Sequence, residues 1–359
     1  MLEKIDDLHY SLRSIDGYNK AFNFIISARE AGKTTAIWRK LFKTFKETGQ
    51  PSIVIRRQIS DITEAYVDDC QKVINKFDDE ALQFAYKKTF KEGVLDVKVK
   101  DKLFIRYIAL SNPMSRIKSL MLRDIRFIVF DEFICNMKLG EKYLNEEGFK
   151  LKEIYNTFNR ESRTGIVFYA LGNPYSVYNP LFVEFKIDTN NLIDPVTHAL
   201  KQGFIYTFQN CAVEIYKLKD ELIEAIKKKN PLYQFDDSYS KYAGEGININ
   251  DQNIPLGTKN DNYSLWNVFK IEGRYLAVWR DMTFTEDFNF YVDFINRDTV
   301  SARRKFYVFD FEEIVTKSVL LNNTDKQRFQ SFANALRIRD VLFRSIECYY
   351  LAEKIYMQL

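Results

Sequence analysis

The chain has 359 residues, of which 46% are hydrophobic and 28% charged, with 13 Gly and 7 Pro. This length exceeds what one hydrophobic core usually fills, so two folded domains are expected, and the composition excludes a disordered, collagenous or repeat-built protein. A net charge of +4 does not by itself announce a nucleic-acid binder, and neither a long apolar run nor a signal-peptide core is present, so a soluble intracellular protein without membrane contact is expected.

The cysteines Cys70, Cys135, Cys211 and Cys348 lie far apart without CxxC spacing, and only His9 and His198 accompany them. The spacing of a structural zinc site is missing, so reduced, mostly buried thiols are expected.

In chain order, the apolar run FNFIIS (22–27) predicts a strand, the stretch SAREAGKTT a loop, and the spacing of Ile37, Leu41, Phe42 and Phe45 a helix. SIVIRR (52–57) reads as a second buried strand, about Asp61 to Phe77 as helix, and the alternation around Glu92-Gly93 as a hairpin. RFIVFDEF (126–133) and IVFYALGNP (166–174) are apolar strands ending in polar residues, with helix-competent sequence between them. GFIYTFQ (203–209) adds a further strand, and Val213, Ile215, Leu218, Leu222 and Ile226 mark an amphipathic helix stopped at Asn230-Pro231. Strands alternating with helices predict an α/β parallel sheet covered on both faces, with ligands at the carboxyl ends of its strands. After a polar stretch (236–262) come a strand meander turning at Glu272-Gly273 and a largely helical tail, a smaller α+β unit. The expected division is a P-loop domain over 1–205, a helical linker or lid over 206–243 and a C-terminal domain over 244–359.

SAREAGKTT departs from the phosphate-loop pattern GxxxxGK[ST] by placing Ser27 where Gly is usual and Arg29 inside the turn. The remaining parts suffice for an ATP phosphate cradle: amides from Ala31 through Thr34 at a helix start, Gly32 for close backbone approach, Lys33 for the β- and γ-oxygens, and the Thr34 hydroxyl, followed by Thr35, for Mg²⁺. Gly is needed only where φ is positive or the backbone must come close, so Ser27 is expected in ordinary extended geometry. Asp131 ends a strand where Mg²⁺ would sit, and the adjacent Glu132 can polarise an attacking water, the alternative being two solvent-facing acids at a strand end. Asn173 either senses the γ-phosphate or serves the turn beside Pro174. A carboxylate aimed at water favours hydrolysis over phosphoryl transfer to an acceptor, and the candidates for a charge supplied by a neighbouring subunit are Arg160, Arg163 and Lys118.

Between Lys100 and Arg126 basic residues outnumber acidic ones, a surplus that reads either as a solvated face or as a nucleic-acid surface. Were a nucleic acid the partner, the candidate DNA contacts are Arg56, Arg57, Arg116, Arg123 and the run Lys227, Lys228 and Lys229, several weak phosphate contacts rather than one basic cleft. A nucleotide-gated switch with slow hydrolysis, or a P-loop kinase using Arg160 and Arg163 as lid residues, are the competing readings.

Together SAREAGKT, IVIRR, IKSLMLRDIRFIVFDEF, FNRESR and ALGNP resemble the DNA-packaging ATPases of phi29-like bacteriophages, which are similar in turn to large terminase subunits. The resemblance covers roughly the first 205 residues. It implies an ASCE-type P-loop ATPase that uses ATP and Mg²⁺ to drive double-stranded DNA into an empty procapsid. The partners implied are the phage portal or connector, a structural packaging RNA and further copies of the chain in a pentameric ring. The place implied is the host cytoplasm at the portal vertex, not the mature virion. By motif, Lys33 and Thr34 hold nucleotide and metal, Arg29 contacts phosphate or resets the loop, Asp131 holds Mg²⁺, Glu132 is the catalytic carboxylate, and Arg160 and Lys118 match trans-acting basic positions. The C-terminal unit occupies the place of the ribonuclease H-like nuclease of terminases. Its Asp281, Asp287, Asp293 and Asp310 are scattered, so a degenerate domain without nuclease activity is expected.

Overall fold

The computed structural model describes residues 8–75, 84–89, 93–120, 122–136, 139–160, 162, 164–194, 200–235, 254–296, 305–309 and 318–359. It divides into two compact units, Met1–Asn250 and Asp251–Leu359.

The first unit runs α1 (Arg13–Asp16), β1 (Phe22–Ile26), α2 (Lys33–Thr48), β2 (Ser52–Arg56), α3 (Glu64–Asn75), β3 (Phe84–Thr89), β4 (Val94–Val99), β5 (Lys102–Ala109), α4 (Met114–Ser119), β6 (Phe127–Asp131), α5 (Glu147–Asn159), β7 (Val167–Gly172), α6 (Pro180–Glu184), β8 (Phe204–Phe208), β9 (Cys211–Ile215) and α7 (Asp220–Lys229). Its nine-stranded sheet has the order β3-β4-β5-β2-β6-β7-β1-β9-β8. From β5 to β9 neighbouring strands are parallel, while β4 with β3 at one edge and β8 at the other are antiparallel. The inner strands are apolar throughout because both faces are covered: every residue of β6 is buried, as are four of five in β2. One face carries α2, whose Ile37, Trp38, Leu41, Phe42 and Phe45 join the core, each large apolar side chain contributing about 1.5–3 kcal/mol by leaving water. On the other, Phe24 packs against Phe133, Phe168, Phe182 and Phe185.

Two expectations need correction. Cys211–Ile215 is a fully buried strand parallel to β1, not the start of a helix; the helix begins only at Asp220. Val213 and Ile215 suit either period, and pairing with β1 satisfies the backbone groups that a short isolated turn would leave exposed. The P-loop sheet therefore does not end at residue 205, and the segment 206–243 is not a separate lid, because the chain divides at Asn250/Asp251. The basic segment also contains an unforeseen strand, β5, sandwiched between β2 and β4.

The second unit contains β10 (Tyr263–Ile271), β11 (Arg274–Asp281), β12 (Phe290–Phe294), β13 (Phe306–Val308), β14 (Ser318–Leu320), α8 (Asn323–Arg328), α9 (Gln330–Ile338), β15 (Val341–Phe343) and α10 (Ile346–Gln358). Its sheet order is β14-β13-β10-β11-β12-β15, an antiparallel β10-β11-β12 meander with β13 parallel to β10 and β14 parallel to β13. The first hairpin turns at Glu272 (φ 49°) and Gly273 (φ 72°), both positive as a two-residue turn matching strand twist requires. Phe269, Phe329, Phe332, Leu351 and Ile355 lie in its core.

Candidate functional site

The site forms at the carboxyl ends of β1, β7, β6 and β2, where the chain order reverses around β1. The β1–α2 loop takes its two left-handed residues at Glu30 (φ 59°) and Gly32 (φ 91°), and Ser27 stays outside that region as expected. At Gly32 both reasons for glycine apply, since a Cβ there would also lie 3.2 Å from the Cβ of His9. Ser27 is the last rung on β7, its N–H donating to Gly172 O at 3.2 Å.

Lys33 is buried and folds back along the loop. Its ammonium donates to Ser27 Oγ at 2.9 Å, Ser27 O at 3.0 Å, Ala28 O at 3.1 Å and Asn173 Oδ1 at 3.2 Å. Ser27 thus supplies an acceptor that Gly cannot. Burial lowers the Lys33 pKa to about 8, although Asp131 and Glu132 pull it the other way and Arg29 adds to the lowering. Thr34 and Thr35 begin α2, half-buried beside Lys33. Arg29 is exposed and donates to the Tyr175 hydroxyl at 2.7 Å, bridging the loop to the segment after β7.

Asp131, buried at the end of β6, accepts from Arg56 Nη1 at 3.2 Å and from the Tyr66 hydroxyl. Glu132 adopts φ 62°, which turns its largely exposed carboxylate out to accept from Arg56 Nη2 at 2.7 Å. One guanidinium thus neutralises both acids, stacked 4.8 Å from the Tyr66 ring. Burial opposes the Arg56 charge, but Asp131, Tyr66 and Glu132 more than offset it and hold the pKa above its ordinary value. Asp131 and Thr34 offer oxygen donors of the kind Mg²⁺ takes, and Asp131 would first have to give up Arg56.

Arg57 is not on the surface. Its Nε and Nη2 form a fork with buried Glu147 at 2.9 and 3.0 Å, while Nη1 and Nη2 donate to Glu132 O at 3.0 Å and Phe133 O at 2.8 Å. Arg56 and Arg57 are therefore corrected from candidate DNA contacts to parts of the site, because the end of β2 carries them inward beside β6.

Part of the basic segment is consumed by structure. Arg106 forms a fork with Asp96 at 2.6 and 2.7 Å, and Arg126 donates to Gly165 O at 2.9 Å. Lys118 pairs with Glu153 at 3.2 Å across α4 and α5. Arg116 is half-buried and Arg123 exposed. Lys227, Lys228 and Lys229 form the last turn of α7, where cations suit the helix dipole. Arg160 is exposed just past α5; Arg163 lies outside the described residues.

In the second unit, Asp281 is consumed by its own hairpin, accepting from the amides of Thr283, Thr285 and Glu286 and from the Thr283 hydroxyl. Burial opposes its charge, yet these donors hold its pKa down to about 2. Asp293 is tied to the Phe294 amide and Tyr291 hydroxyl, and Asp310 lies outside the described residues. Among the described residues, no group of three or more acidic, His or Cys side chains is placed to hold a metal.

Sequence reasoning missed Tyr66, Tyr175, Glu147 and Tyr10. Tyr10 donates its hydroxyl to Glu214 on β9 at 2.7 Å and its N–H to Ala31 O at 2.8 Å, bracing the phosphate loop from behind. None carries a motif; only a helical-face reading of α3, with Tyr66 on its buried side, offered a signal.

The profile of the podovirus DNA encapsidation protein (Gp16) matches residues 5–358. The DNA packaging protein of Bacillus phage B103 is 26% identical over 339 residues, spanning 92% of this chain and 96% of that protein. The DNA packaging protein of Bacillus phage phi29 is 30% identical over 195 residues, spanning 54% and 55%. Among solved structures, a chain of the bacteriophage Phi-29 viral genome packaging motor assembly superposes with a TM-score of 0.71 at 20% identity, covering 98% of this chain and 99% of that one. The Phi-28 gp11 DNA packaging motor does so with a TM-score of 0.61 at 15% identity, covering 97% of each. These superpositions extend over both units.

Proposed function

The chain belongs to the podovirus DNA encapsidation family, and from that premise we propose how its residues perform ATP-driven packaging of phage DNA. The observation that carries the reading is the convergence at one sheet edge of Lys33, Asn173, Asp131 and Glu132, with Lys33 bonded to Asn173 and under the field of both acids. A nucleotide triphosphate fits the β1–α2 loop: the amides from Ala31 to Thr34 meet its phosphates, and Lys33 turns from its Ser27 and Ala28 acceptors toward the β- and γ-oxygens. Mg²⁺, held by the Thr34 hydroxyl and Asp131, would neutralise phosphate charge.

Glu132 then takes the proton of the water that attacks the γ-phosphorus, with Asn173 orienting it, as the bond to the β,γ-bridging oxygen breaks and ADP departs with that oxygen's electron pair. For this Glu132 must leave Arg56, so hydrolysis requires the pair to open. Arg160, exposed at the end of α5, is suited to reach a neighbouring subunit's phosphates, which makes turnover a property of the ring. DNA is gripped by modest phosphate contacts repeated around that ring, drawn from Arg116, Arg123 and Lys227–Lys229. The ring is pentameric on this reading, sits at the portal vertex in the host cytoplasm, and contacts the connector and a packaging RNA. The strand order of the second unit, a meander with β13 and β14 added in parallel on the β10 side and β15 on the β12 side, supports a nuclease-like ancestry, and the engagement of Asp281 in its own turn supports loss of cutting.

Mixing protomers tests the scheme. Glu132→Gln and Arg160→Ala chains, each inactive alone, are expected to regain DNA-stimulated ATPase activity when combined, because a mixed ring contains interfaces with both groups intact. Absence of complementation at every ratio removes Arg160 from a trans role.

A further inference from the structure

Among the described residues of the first unit, Arg57 and Glu147 are the most thoroughly enclosed ion pair, and the scheme above gives them no part. Glu147 is fully buried in the first turn of α5, and Arg57 is nearly so. An isolated buried pair adds little net stability over apolar residues of the same volume, so its presence invites a positional explanation. The Arg57 fork does more than meet a carboxylate: its remaining N–H groups end on the carbonyls of Glu132 and Phe133. Those two carbonyls belong to the turn where a non-glycine residue adopts φ 62°, a conformation that L residues keep only where the surroundings enforce it. Phe130 and Tyr143 enclose the guanidinium, each ring centroid 5.3 Å away, and Glu147 Oε2 also accepts from Leu144 N at 2.9 Å, so neither partner can shift without breaking several bonds. From the opposite side, the Phe133 amide donates to Leu171 O at 3.0 Å.

We propose that Arg57, oriented by Glu147, is a positioning residue that holds the Glu132 turn in its left-handed form, the backbone frame from which the carboxylate, once released by Arg56, reaches the attacking water. This rests on Glu132 being the catalytic carboxylate. A misplacement of about 1 Å in such a group costs on the order of 100-fold in rate without weakening substrate binding.

The test uses the double variant Arg57→Met/Glu147→Leu, which removes both charges together and keeps an apolar filling, and Glu147→Gln, which keeps the volume. Thermal midpoint, affinity for a fluorescent ATP analogue, and kcat and KM with DNA are measured on the full chain. A folded variant is expected to hold nucleotide affinity and KM within about threefold while kcat falls about 100-fold. Wild-type kcat in either folded variant would overturn the proposal, as would a loss of nucleotide affinity equal to the loss of kcat. If both variants fail to fold, the pair is structural and the proposal also falls. Glu132→Gln is run alongside: if it keeps full turnover, the catalytic assignment itself is wrong, whereas an inactive Glu132→Gln beside an unaffected double variant sinks only the clamp.

Discussion

Arg56 joins Asp131 and Glu132 through two nitrogens of one guanidinium, at 3.2 and 2.7 Å. The two halves of this contact differ in worth. Asp131 is buried and Glu132 is largely exposed, so removing Arg56 strands one desolvated carboxylate and merely frees the other. Arg56→Ala is expected to destabilise the nucleotide-free protein by about 3 kcal/mol in urea denaturation, and Glu132→Gln by under about 1 kcal/mol. Equal losses would contradict the division. Mg²⁺ with ADP should raise the thermal midpoint of Arg56→Ala more than that of wild type, because metal then supplies the missing charge at Asp131.

Burial lowers the Lys33 pKa to about 8 from an ordinary 10.5. Between those values the unfolded chain binds a proton that the folded protein lacks, so stability rises with pH across that window. The difference in unfolding free energy between wild type and Lys33→Met should therefore move in favour of wild type from pH 7.5 to 10.5, by up to about 3 kcal/mol. A gap independent of pH would place Lys33 in a wetter site. Phosphate binding favours the charged form, so nucleotide affinity should weaken above pH 8 in wild type.

Gly172, the last residue of β7, lies under the Glu132 turn: a Cβ there would stand 2.7 Å from Phe133 and 3.0 Å from Ile134. Gly172→Ala is expected to cost about 1–3 kcal/mol through overpacking and to lower kcat by displacing the turn. Chemical denaturation and steady-state ATPase kinetics measure the two effects. An alanine variant with unchanged stability and kcat would mean that Phe133 and Ile134 yield freely.

Purified protein with Mg²⁺ or Mn²⁺ should leave plasmid DNA intact. Cleavage abolished by mutating Asp281, Asp287 or Asp293 would restore a nuclease to the second unit. Asp281→Ala is expected instead to loosen the β11–β12 turn, seen as faster amide exchange at Thr283, Thr285 and Glu286, whose N–H groups it accepts.

Reversing Arg116 and Arg123 to Glu should reduce the slope of DNA affinity against salt if these residues meet phosphates. An unchanged slope removes the segment from the DNA path and leaves Lys227–Lys229 as the remaining candidates. Arg106 and Arg126 are excluded from the test because their bonds to Asp96 and Gly165 O hold the sheet together.

The sequence by itself determined the parallel sheet, the left-handed turn into α2 and the strand ending in paired acids, because buried strands, a glycine at a forced φ and acids at a strand end leave local marks in residue type and period. Gly32 and Asp131 are legible for that reason. Tertiary structure decided what the polar residues at the strand ends do. Arg56 and Arg57 are neighbours in one basic dipeptide, yet the alternation of a strand turns one toward the two acids and the other into a buried fork with Glu147, 90 residues away in sequence. Cys211–Ile215 belongs to the sheet only because β1 offers it an open edge. Partners brought together across such separations leave no periodic trace in the chain, so the choice between an exposed basic side chain and a buried fork appears only once the strands are side by side.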